Sequence, residues 1–163
     1  MVERLIGAFK GDVAVYEEIE HDESATMQAG LVVVVAAVLG GLGGGLTNAM
    51  IGGEDSASFG SVFILGVLAA LINWFLFSGI VHLVGSKLFG ADSTFGEMLR
   101  VIGFASVVTW LVVIPVIGAF SILWYLWVAF KAIRAGLDLA TVPTAIVIVI
   151  GFVIRVILRL ILA

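Results

Sequence analysis

The chain has no cysteine, two prolines and few charges: Asp, Glu, Lys and Arg together make up 12% of its 163 residues. The missing cysteines remove disulfides, thiolate metal sites and thiol nucleophiles together. The scarcity of charge, with a hydrophobic fraction of 62% and a mean hydropathy of +1.25, lies far from a soluble globular composition. There is no HExxH and no Lys-Ser/Thr after the glycines. These absences leave an intramembrane enzyme the least supported function class, and they exclude a phosphate-cradling loop. The net charge of −4 comes mainly from the N-terminal segment, which argues against nucleic acid as a partner. No cofactor or metal is expected.

What the sequence has is apolar length. A bilayer core about 30 Å thick needs roughly 20 apolar residues per helical span, so 163 residues leave room for four or five spans and no sizeable soluble domain. The expected fold is all-α, an integral membrane bundle of about five helices spanning 29–50, 59–85, 95–115, 118–133 and 142–162. The third and fourth spans are short and joined by an uncharged Pro-Val-Ile-Gly turn. They either just cross or form a re-entrant hairpin covered by the other helices. Residues 1–27 form an acidic segment, expected to be cytoplasmic, with no cleavable signal pattern, so the first span is expected to be its own insertion signal. Within it Leu5, Phe9, Val13 and Tyr16 recur at helical spacing, which predicts one amphipathic helix docked on the bundle's own cytoplasmic surface or on a partner. The Glu17–Glu23 run reads as a solvated face.

Small residues set the expected packing. Ala36, Gly40 and Gly44 share one face of the first span, with Ala37, Gly41 and Gly45 beside it. Such a strip lets another backbone approach, within the bundle or in self-association, and Gly40→Leu or Gly44→Leu is expected to force the helices apart. Gly66, Ala70 and Asn73 make a second narrow face, with Asn73 as an interhelical hydrogen-bonding group, and Trp74 sits mid-span as a packing or lipid-contacting residue.

The stretch from His82 to Val107 is the main aqueous interruption. Thr94 followed three residues later by Glu97 is a capping box, so a helix starts near Phe95. His82, Asp92 and Glu97 could converge as a polar site, although an interfacial histidine, a turn residue and a cap explain them as well. The basic residues Arg4, Lys10, Lys87, Arg100, Lys131 and Arg134 fall on one side of this topology, which predicts that side as cytoplasmic and the C-terminus as outside. Arg155 and Arg159 are the exceptions, one turn apart toward the outer end of the last span. They either snorkel or hold a lipid phosphate, or they pair with Glu54 and Asp55.

The loop after His82, the helix reading Leu99-Arg100-Val101-x-Gly103-Phe104-Ala105, the run Ile122–Ala135 and the segment Gly136–Ala140 resemble the Yip1 domain family over most of the chain. Val107-Val108 stands where many members have a proline, which leaves the shape of the third span open. The resemblance implies a polytopic membrane protein with a cytoplasmic N-terminus and a membrane-organising or adaptor role. Eukaryotic relatives are associated with vesicle traffic and small GTPases. A small permease or channel is the alternative, and it would need a polar path through the bundle.

Overall fold

The computed structural model describes residues 1–51, 57–113 and 115–162, and all of its regular elements are helical. They are α1 (Val2–Lys10), α2 (Val13–His21), α3 (Ala25–Ile51), α4 (Phe59–Phe89), α5 (Phe95–Ala105), a 3-10 segment (Ser106–Val113), α6 (Pro115–Leu137) and α7 (Thr141–Leu162). Five stretches are long and apolar enough to cross a membrane: α3, α4, α5 with its 3-10 continuation, α6 and α7. The α4–α5 capping box forms as the sequence predicts. The Thr94 hydroxyl accepts from the Glu97 amide at 3.2 Å, and the Glu97 carboxylate accepts from the Thr94 amide at 2.8 Å.

The N-terminal segment is two helices, not one. Gly11 takes a left-handed conformation (φ 66°) and Asp12 caps the next helix by accepting from the Ala14 amide at 3.1 Å. A side chain at Gly11 would also meet the Trp127 ring at 2.7 Å, so backbone and space both call for glycine. The helices fold back on each other. Arg4 bridges to Glu18 and Asp22, both at 2.7 Å, and the Tyr16 hydroxyl donates to the Ala8 carbonyl at 2.9 Å. The pair lies on α5 and α6, burying Tyr16 and Ile19 completely and leaving Val13, expected in the stripe, exposed.

The third span also departs from expectation. At Ser106, beside the Val107-Val108 departure, the α-helix tightens to a 3-10 helix, and hydroxyls bond back three residues: Ser106 to the Gly103 carbonyl at 2.6 Å and Thr109 to the Ser106 carbonyl at 2.7 Å. A rise of about 2.0 Å per residue instead of 1.5 Å lets Phe95–Val113 reach about 32 Å, enough for a hydrocarbon core of about 30 Å. The expected turn at Pro115–Gly118 is instead the first turn of α6, with proline at a position that needs no amide hydrogen. Gly118 lies so close to the Val112 backbone that a Cβ would meet it at 3.0 Å. At the start of α7 the Thr144 amide donates to the Ala140 backbone carbonyl at 3.1 Å, which closes the first turn of the helix.

The largest interface joins α3 to α4, and small residues make it. A Cβ at Gly41 would meet the Phe63 carbonyl at 3.1 Å, one at Gly45 the Phe59 ring at 2.7 Å, and one at Gly66 the Gly41 Cα at 3.7 Å. The neighbouring strip behaves differently. Nothing lies within 4 Å of a Cβ built on Gly40, and Gly44 meets only Val62 at 3.9 Å. The close approach therefore runs through Gly41 and Gly45, and the expectation for Gly40 and Gly44 is corrected. Gly41→Leu should destabilise the protein by roughly 1–3 kcal/mol, while Gly40→Leu should stay within about 0.5 kcal/mol. Thermal scans of circular dichroism in detergent read this directly, and equal midpoints for the two variants would contradict the α3/α4 register.

Candidate functional site

The five spans are packed unequally along their length. Fully buried residues gather in the half that carries α1 and α2: Val32 on α3, Val81 on α4, Met98, Val101 and Phe104 on α5, Val128 and Ile133 on α6, and Val147 on α7. Trp74 marks the boundary. Its indole N–H donates to the Leu99 carbonyl at 3.1 Å, as a packing residue mid-span should. Gly103 admits α3 beside it, so closely that a Cβ there would meet Ala29 at 2.8 Å.

Past Trp74 the helices part. A cavity of about 420 Å³ opens there, lined by Ala36, Ala37, Gly40 and Gly41 of α3, Gly66, Ala70 and Asn73 of α4, Ile102, Ser106 and Thr109 of the third span, Tyr125 of α6 and Arg155 of α7. A groove of about 760 Å³ between α4 and α7 shares Ala70, Asn73 and Arg155 with it and adds Arg159. Residues singled out separately in the sequence thus line one continuous space. Asn73 makes no hydrogen bond among the described residues; it faces the cavity and not a helix partner. Arg155 and Arg159 are exposed and make no ion pair there either. Their suggested partners Glu54 and Asp55, in the expected turn 51–58, lie outside the described residues. Asn48, at the far end of α3, donates to the Ala57 carbonyl at 2.6 Å.

His82, Asp92 and Glu97 are not gathered into a site. The His82 Nδ1 lies 3.4 Å from both the Ser86 and Ser93 hydroxyls, Glu97 is occupied by its cap, and Asp92 is exposed.

The most connected polar group is one the sequence did not single out. Arg100, 7% exposed, sends Nε (3.1 Å) and Nη2 to the Glu20 backbone carbonyl, and Nη1 to the Thr26 hydroxyl at 3.3 Å. That carbonyl belongs to the last turn of α2, where the helix has no amide to offer it and its dipole is negative. The guanidinium thus caps α2 and fastens it to α5. The Glu20 carboxylate turns the other way, 4% exposed, with Oε2 unpartnered in the apolar space beside Gly136 and Oε1 3.5 Å from the His21 ring. A signal for it existed: Glu20 continues the stripe four residues after Tyr16.

Five apolar helices around a common core define a polytopic α-helical membrane protein. The chain belongs to the Yip1 domain family, whose family model matches residues 13–163. No curated protein and no solved structure matches it.

Burial pushes the Glu20 carboxyl from 4.5 up to about 7; Asp138, Glu97 and Glu17 act in the same direction and His21 opposes them. The docked segment therefore holds the proton more tightly than a released one. Docking is strongest in acid, where the carboxyl is neutral in both states, and weakens as pH rises until the docked carboxyl has itself ionised above about 7. Hydrogen exchange of Val13–His21, corrected for intrinsic rates, should show several-fold lower protection at about pH 8 than at about pH 5.5. Glu20→Gln should remove most of the difference, leaving only the smaller part from His21, which its bond to the Glu17 carbonyl raises in the same direction. Equal protection at both pH values in the natural protein would contradict this role.

Proposed function

We propose that the chain is a non-enzymatic membrane-organising or adaptor protein, with its N-terminus in the cytoplasm and its C-terminus outside. The observation that carries this reading is the solid half of the bundle. The cavity reaches Trp74, Phe77 and Ile102, and between it and the α1–α2 end stand the fully buried side chains of Val32, Val81, Met98 and Val101. A conducting pathway needs groups that replace water along its whole length, and here they stop halfway. The cytoplasmic assignment rests on Arg4, Lys10, Lys87, Arg100, Lys131 and Arg134, all at the end that carries α1 and α2.

That end also offers a surface suited to a partner. Under α2 a cleft of about 530 Å³ combines Trp127, Lys131 and Arg134 with Glu17 and Asp138, and the Lys131 ammonium sits 4.1 Å from the centre of the Trp127 ring. Opposite charges beside an aromatic ring suit recognition of a mixed-charge protein surface.

Two outcomes are expected. In sealed membranes, Asp92→Cys should react with an impermeant maleimide from the cytoplasmic side and Ala57→Cys from the other; the reverse pattern would overturn the orientation. Reconstituted in liposomes, the protein should pass neither protons nor small ions above the empty-vesicle background. The polar lining at Asn73 and Arg155 is what favours a permease instead. Flux abolished by Asn73→Leu, in protein still folded, would establish that second reading.

A further inference from the structure

We propose that the groove between α4 and α7 holds an anionic glycerophospholipid of the bilayer, its phosphate on Arg155 and Arg159 and one acyl chain in the cavity beside Gly40. Arg155 and Arg159 stand four residues apart and both line the groove, so their guanidiniums can converge on one ligand. Neither is neutralised by an acidic side chain among the described residues. A cation within a span is costly without a counter-charge, and a guanidinium matches a phosphate with paired, charge-assisted hydrogen bonds. Depth fits as well. Arg155 lies seven residues before the end of α7, about 10 Å along the axis, and Arg159 sits a turn nearer, a depth that a long arginine stem can bridge toward headgroup level.

The apolar end of such a ligand has a place to go. From the groove, the shared residues Ala70, Asn73 and Arg155 lead into the cavity, whose wall of Ala36, Gly40 and Gly66 presents almost no side chain. Close packing is the rule in a bundle interior, and a space of about 420 Å³ open to the side and lined by small residues suits a flexible hydrocarbon chain. A second copy of the chain fits this face less well. A two-fold contact through it would set two arginines against two arginines with no acidic partner among the described groove residues. The site goes beyond the organiser reading and does not depend on it, because lipid retention is read without any measurement of flux.

Native mass spectrometry of the full chain, released from mild detergent after incubation with equal amounts of phosphatidylglycerol and phosphatidylcholine of identical acyl chains, tests it. A single-lipid adduct is expected, with phosphatidylglycerol favoured about tenfold. Arg155→Gln/Arg159→Gln should bring the two lipids to parity, and these positions are exposed, so the fold is retained. Gly40→Leu fills open space and should lower retention of both lipids several-fold with an unchanged melting midpoint. Parity in the natural protein, a preference that survives the double substitution, full retention in folded Gly40→Leu, or lipid-free dimers in place of the adduct would each overturn the proposal.

Discussion

The guanidinium of Arg100 on the backbone carbonyl of Glu20 joins two parts of the chain 80 residues apart, and the arrangement of the cytoplasmic half as proposed depends on it. A charged donor meets the negative end of a helix in a nearly dry setting, where both would otherwise be left unpaired. With α2 held there, Tyr16 and Ile19 close over α5 and α6, and Arg4 draws α1 down through Glu18 and Asp22. The same geometry leaves the Glu20 carboxylate with no cation but the exposed His21 ring beside it, because the arginine is spent on the main chain. A docking surface that tightens in acid follows from that division of partners, not from the acidity of the segment as a whole.

Beneath this cap the bundle is close-packed, and away from it the helices separate. Both states come from small residues used in two ways. Gly41 and Gly103 let backbones meet, Gly45 seats the Phe59 ring, and together they form many weak dispersion contacts at once. Gly40, one position along, has nothing opposite it and contributes only space. The 3-10 stretch after Gly103 carries the third span across with fewer residues than an α-helix would use, and its Ser106 and Thr109 line the cavity while their hydroxyls bond their own backbone. One end of the molecule is thus built to be rigid, the other to leave room for a molecule from the membrane.

Much of the fold was legible in the sequence. Apolar length separated the five helical stretches, and Thr94 with Glu97 located the start of α5 because a capping box is a local signal. The family resemblance rested on helix-forming runs that keep their order. Legibility failed where a choice was tertiary. Two glycine strips side by side on α3 are equivalent until α4 is placed against one of them. The hydrophobic stripe of residues 1–27 continued across Gly11, and periodicity alone did not weigh a glycine-aspartate pair as a break. Arg100 read as one more basic residue near an interface, and Glu20 as one of a solvated run, since neither shows its burial until α2 lies on α5. The site had the same character: Asn73, Gly40 and Arg155 were each visible, but their meeting around one cavity depends on helix crossings that no local pattern encodes.

The anchoring of the N-terminal pair by Arg100 is the claim on which the most depends, and a distance measurement reaches it directly. The chain has no cysteine, so nitroxides placed at Ala14→Cys on α2 and Lys87→Cys at the end of α4, both exposed, report one distance without background. Pulsed electron paramagnetic resonance in lipid nanodiscs should give a single narrow distribution in the otherwise natural chain, and a broad one after Arg100→Gln with the transmembrane helicity intact. A narrow distribution in both, or a broad one in both, would contradict the anchor.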